Sequence, residues 1–148
     1  SYILFTSPTP LSPLPILKGE IALNIPGRTE TAGWIFEAKI IDRTQMPEIR
    51  GDDPFKVYLD ADKTGDKLRV RTRRRGDRFQ PLGMREQKKL GEFMIDAKIP
   101  RSWRNRIPLV CSPEHILWAV GYRIAERAKV TDATKRVLRL EAKQVGRP

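Results

Sequence analysis

The sequence predicts an α+β fold in which short, mostly antiparallel strands form a small sheet or partial barrel beside one main helix. Three observations predict it. Apolar and polar residues alternate in several short runs. Pro, Gly and Asp clusters that turn the chain separate those runs. One stretch, about residues 86–98, carries an apolar stripe at helical spacing. At 148 residues the chain is one domain, or one domain with an appendage.

Taken in order, Ser1 to Pro15 holds Pro8, Pro10, Pro13 and Pro15, a spacing that forbids helix and favours an extended linker, 1–15, from something upstream. A β-rich first part is expected over 16–66. Ile21, Leu23 and Ile25 alternate up to a Pro26-Gly27 turn. Trp34, Phe36, Ala38 and Ile40 form a second period-2 run, with Trp34 in the core. Gln45 to Pro54 reads as loop, Phe55 to Leu59 as a short strand, and Asp60 to Asp66 as a turn-rich link. A basic part follows over 67–143. Leu68, Val70 and Thr72 face inward while Arg69, Arg71 and Arg73 face out. Arg75-Gly76-Asp77 turns the chain into the helix, where Leu90, Phe93, Met94 and Ala97 fall at i, i+3, i+4 and i+7. Gly91 interrupts it, either for a close approach or as a tolerated cost of about 1 kcal/mol. Pro100 ends it. Ile107–Cys111 and Ile116–Val120 predict a hairpin that buries Trp118, Ile124 to Val130 is ambiguous, and Arg136 to Ala142 predicts a last strand. Residues 144–148 are expected to fray.

Charge is the functional signal. Residues 67–106 hold fourteen Lys and Arg against four Asp and Glu, a local +10 in a chain of +11. Arg69, Arg71 and Arg73, about 6.6–6.8 Å apart along a strand, match the spacing of phosphates, and Arg74, Arg75 and Arg78 crowd the turn beside them. Such an array repels itself unless a polyanion neutralises it. Lys88 and Lys89 are expected in the first helical turn, where they join backbone N–H groups at a phosphate but oppose the helix dipole. Arg101 and Arg104 flank Trp103, which is either a stacking platform or an apolar anchor. Asp77 is expected to brace the turn through its N–H groups or by holding Arg75 or Arg78. His115 has no partner at metal-ligand spacing and reads as a turn residue, and Cys111 as a buried thiol. A lone cysteine excludes an internal disulfide and fits a reducing cytoplasm. No run approaches the roughly 20 apolar residues of a membrane span, and no leader peptide is visible. With no phosphate-binding Gly loop, metal constellation or nucleophile–base pair, the residues describe a binding module rather than a complete enzyme. The opposing reading is a basic module that docks on an acidic protein without touching RNA.

Arg74-Arg-Gly-Asp-Arg-Phe79, Pro81-Leu82-Gly83-Met84, Lys88-Lys89-Leu90, Ile99-Pro100-Arg101, Arg106-Ile107-Pro108-Leu109 and Trp118…Gly121-Tyr122-Arg123-Ile124 follow one another in this order. Together they resemble the C-terminal domain of bacterial tRNA(Ile)-lysidine synthetase, well over Leu68 to Leu140 and loosely over Ile16 to Asp66. The resemblance implies a layered α+β sandwich similar to a domain of the phenylalanyl-tRNA synthetase β subunit. It implies a parent ligase that uses ATP, with magnesium, to join lysine to the wobble cytidine of tRNA(Ile). That chemistry belongs to an N-terminal catalytic domain with a Ser-Gly-Gly-x-Asp-Ser loop, a sequence this chain lacks, so no cofactor is expected here. The implied partners are tRNA(Ile), held on its acceptor-stem side by the arginines and lysines named above, and the parent's own N-terminal domain. Gln87 and Gly91 depart from the expected helix start, which leaves that start open. Each phosphate held by Arg71 or Arg73 is expected to appear in the salt dependence of binding.

Overall fold

The structure, a computed structural model, describes residues 17, 19–31, 33–47 and 53–145. The expected linker 1–15 lies outside them. In chain order the strands are β1 (Ile21–Ala22), β2 (Gly27–Glu30), β3 (Trp34–Asp42), β4 (Lys56–Asp60), β5 (Arg69–Arg71), β6 (Arg78–Phe79), β7 (Lys88–Lys89), β8 (Leu109–Cys111), β9 (Ile116–Ala119), β10 (Arg123–Ile124) and β11 (Arg136–Gln144). Among the described residues two α-helices, α1 (Ala61–Thr64) and α2 (Leu90–Asp96), complete an α+β fold in which every strand pairing is antiparallel.

Alternation builds the four-stranded sheet, ordered β2-β3-β11-β4. Trp34, Phe36 and Ala38 of β3 sit opposite Gln144, Ala142 and Leu140 of β11, and Leu138 pairs with Leu59 of β4. All of these except Gln144 are buried, so period 2 places one face of the sheet in the core. Ile40 departs from the expected pattern and is 37% exposed. The pairing of β2 stops at Ala38, so Ile40 keeps a neighbour on one side alone. The last strand runs further than the sequence indicates, through Gln144, and the Val145 N–H reaches the carbonyl of Gly33 at 2.9 Å. Residues 146–148 of the expected tail lie outside the described residues.

The five-stranded sheet has the order β1-β5-β8-β9-β10. The expected hairpin is β8–β9, and every residue of both strands is buried, which is why their sequences read as continuous apolar runs rather than alternation. Strands exchange between halves of the chain: β1 pairs with β5, while β11 lies between β3 and β4. A single apolar cluster joins Trp34, Phe36 and Leu59 of one sheet to Val70, Val110 and Trp118 of the other.

Two elements differ from the sequence reading. The link after β4 contains one helical turn, α1, because Asp60 caps it by accepting from the N–H groups of Asp62 and Lys63. The main helix is shorter than 86–98. It begins at Leu90, and Lys88 and Lys89 form β7 against Phe79 and Arg78 of β6. The apolar stripe explains this. Leu90, Phe93 and Met94 are buried, but residues 86–89 offer no apolar side chain to continue it. Sheet pairing therefore takes the two lysines. At the other end Lys98 adopts φ +58° and the Ile99 N–H reaches the Met94 carbonyl, closing the helix just before Pro100.

Gly91 needs no close approach. A methyl group there would meet Arg73 Nη1 at 3.8 Å, an ordinary contact. Gly91→Ala is expected to raise stability by about 0.5 kcal/mol through the unfolded chain's lost freedom, read as a higher urea midpoint with unchanged slope.

Candidate nucleic-acid interface

The turn from Arg74 to Arg78 is the centre of the basic region, and Asp77 builds it. Its carboxylate accepts Arg71 Nη1 at 2.9 Å and Nη2 at 3.1 Å, a two-pronged pair, and also the backbone N–H of Arg74 at 2.7 Å. Its carbonyl accepts the Leu90 N–H at 3.0 Å, tying the turn to the start of α2. Phe79 then packs edge-on against Phe93, with ring centres 4.9 Å apart. Asp77 thus braces the turn as expected, but through Arg71 rather than Arg75 or Arg78.

That pairing changes the arginine ladder. Strand β5 ends at Arg71, so Arg73 is not on one strand face with Arg69 and Arg71. Arg69 is exposed, whereas the side chains of Arg71 and Asp77 are each 13% exposed. The hydrogen bonds it donates to Asp77 are the main reason the Arg71 guanidinium is held above its ordinary pKa. Arg73 lies half-buried across α2, donating to Asn105 Oδ1 at 2.7 Å and reaching Met94 Sδ at 3.7 Å. Both are fixed groups, and Arg71 is committed to the protein's own carboxylate.

Two clefts flank the turn, and both are lined by arginine and lysine side chains. One, of about 650 Å³, is lined by Lys67, Arg69, Arg71, Arg74 and Arg78, facing the 112–116 turn. The other, of about 660 Å³, is lined by Arg73, Arg74, Arg75, Arg78 and Lys89, with Asn105 and Ile95. Five cations meet three carboxylates (Glu20, Asp77 and Glu114) in the first, and two (Asp77 and Glu92) in the second. Arg74 reaches Glu20 at 3.3 Å, but both remain substantially exposed, so solvent and salt weaken that pair.

Three expected residues lie apart from these clefts. Lys88 pairs with Asp96 and lines neither cleft. Arg101 is exposed on the short turn Arg101–Trp103, and Arg104 donates to the carbonyl of Ile99 at 3.0 Å. Trp103 is 1% exposed, which settles its two readings in favour of the core anchor. Sequence reasoning missed Lys67, Glu20 and Asn105. Lys67 was visible as part of the charge run. Asn105 stands 32 residues from Arg73, so no local pattern connects them.

The quieter residues behave as their patterns imply. Cys111 is buried and its thiol is pushed up to about 11 by burial. His115 sits in the 112–115 turn, where its N–H reaches Ser112 Oγ and its Nε2 faces Arg127 Nη1 at 3.0 Å. Among the described residues no three His, Cys, Asp or Glu form a metal-binding group, and no helix is long and apolar enough to cross a membrane.

Comparison with known proteins bears on this geometry. Residues 68–141 match a family model described as the TilS substrate C-terminal domain. The tRNA(Ile)-lysidine synthase of Dehalococcoides mccartyi (strain CBDB1) is 46% identical over 145 residues, covering 98% of this chain and 31% of that protein. The tRNA(Ile)-lysidine synthase of Caldanaerobacter subterraneus subsp. tengcongensis is 44% identical over 126 residues, covering 84% and 27%. The chain thus spans less than a third of the length of these curated relatives. A crystal structure of a TilS C-terminal domain superposes with a TM-score of 0.72 at 27% identity, covering 87% of this chain and 98% of that one.

Proposed function

Because the chain belongs to the TilS C-terminal domain family, we propose that it is the tRNA-holding part of a tRNA(Ile)-lysidine synthase. In this reading it grips tRNA(Ile) on the acceptor-stem side. The rest of the enzyme, with ATP and magnesium, joins lysine to the wobble cytidine. The observation that carries the proposal is the gathering of exposed cations around one braced turn: Arg69, Arg74, Arg75 and Arg78 from β5, the turn and β6, with Lys89 from β7. Such a surface suits phosphates, which fix register and orientation without reading sequence.

In this reading, exposure separates the residues that would touch RNA from those that support them. Arg69, Arg74, Arg75, Arg78 and Lys89 are exposed and available. Arg73 presents an edge already oriented by Asn105. Arg71 supports the turn from behind. Lys88, Arg101 and Arg104 are peripheral contacts. Arg74→Ala with Arg75→Ala is expected to weaken tRNA binding by this chain about tenfold. It should also flatten the log–log salt slope by about 0.7–0.9 per lost contact. Filter binding over a salt series, with thermal melting to confirm folding, checks this. Wild-type affinity and slope in the double variant would exclude the turn from the interface.

A further inference from the structure

The two clefts are separated by a single wall. Arg74, Gly76, Asp77 and Arg78 line both, so the turn stands as a ridge between a cleft toward the 112–116 turn and a cleft toward α2. The ridge is rigid, held by the Arg71–Asp77 fork, by the Asp77 bond to the Arg74 N–H and by the Leu90 bond to the Asp77 carbonyl. Its tip is bare: Gly76 has φ +86°, and nothing lies within 4 Å of where a Cβ would stand. Exposed cations occupy both flanks, Lys67 and Arg69 on one side, Arg75 and Lys89 on the other.

A single strand offers one phosphate rail, which needs one channel. Two basic channels about one narrow ridge match two rails with a groove between them. In A-form RNA the major groove is deep and too narrow for side chains to read, whereas the minor groove is wide and shallow and lined with 2′-hydroxyls. Resting on the RNA-binding reading above, we infer that the Arg74–Arg78 turn enters the minor groove of an RNA double helix, with one sugar–phosphate backbone in each flanking cleft. The bare tip at Gly76 lets the main chain approach the groove floor. The Arg74 and Arg78 side chains reach the two rims.

The test compares the 148-residue chain with a short RNA duplex of acceptor-stem sequence, with each of its separated strands, and with the DNA duplex of the same sequence. Two double variants are used, Lys67→Ala/Arg69→Ala and Arg75→Ala/Lys89→Ala, each altering exposed residues of one flank. The RNA duplex is expected to bind at least tenfold more tightly than either strand or the DNA. Each double variant is expected to flatten the duplex salt slope by about 0.9 per lost contact. Equal affinity for strand and duplex would overturn the inference. So would an effect confined to one flank, since one rail would then suffice. Loss of binding to every RNA, duplex and single-stranded, would overturn the RNA-binding reading itself.

Discussion

Replacing Asp77 by alanine is expected to cost about 3 kcal/mol and to lower the melting temperature by roughly 9 °C, scaling at about 2–4 °C per kcal/mol for a chain of this size. The Arg71 guanidinium would keep its desolvated position, with a side chain 13% exposed, and lose both carboxylate oxygens, keeping the Thr72 carbonyl at 3.1 Å but no counter-charge at hydrogen-bond distance. The Arg74 N–H would lose its acceptor as well. An uncompensated charge in such a place is costlier than a missing pair. Arg71→Ala/Asp77→Ala should therefore be little worse than Asp77→Ala alone, a coupling that a double-mutant cycle measures. Asp77→Asn keeps an acceptor for the turn and should cost about half as much. Asp77→Ala should also impair RNA binding, because Arg74 and Arg78 hang from the turn that Asp77 braces. A melting temperature within a degree of wild type would show that the fork carries no stability.

The distance over which each decision is made separates what the sequence reveals from what it hides. The alternation in Trp34–Ala38 and the stripe Leu90–Phe93–Met94 are local, and the structure buries those same side chains. The hairpin 107–120 is equally local. By contrast, Lys88 and Lys89 leave the helix because Phe79 and Arg78 compete for their backbone, a contact between strands that periodicity does not register. Strand β2, with the sequence Gly-Arg-Thr-Glu, has no apolar alternation and exists because the edge of β3 needs a partner. The basic cluster was legible as charge. Which members of it are consumed internally was not: Arg71 finds Asp77 and Arg73 finds Asn105 only once the chain has folded. Composition thus located the basic cluster, while hydrogen-bond geometry decided which of its cations are held internally and which face outward.

Asp60→Ala is expected to cost about 3 kcal/mol as well, at a point away from both clefts. Asp60 ends β4 at 5% exposure and uses both carboxylate oxygens. Oδ1 accepts from the N–H groups of Asp62 and Lys63 at 3.0 and 3.2 Å, capping α1. Oδ2 accepts from Thr134 Oγ1 at 2.7 Å, and that hydroxyl in turn accepts from the Thr131 N–H. Losing a cap costs about 1–2 kcal/mol, and stranding a buried hydroxyl adds about 1–2 kcal/mol. Thr134→Val should cost about 2 kcal/mol, and the double variant should fall short of the sum because the two share one bond. Asn is an equally good cap, but its amide donates where Oδ2 accepts and leaves the Thr134 hydroxyl proton without an acceptor, so Asp60→Asn should cost about 1–2 kcal/mol, less than Asp60→Ala. Urea unfolding measures these differences. The contrast with Asp77 is diagnostic. Asp60 lines neither basic cleft, so folded Asp60→Ala should bind RNA with wild-type affinity and salt slope, whereas Asp77→Ala should lose both stability and binding. Equal binding losses in the two variants would mean that the Arg74–Arg78 turn has no special place in the interface, and that any loosening of the fold suffices to weaken it.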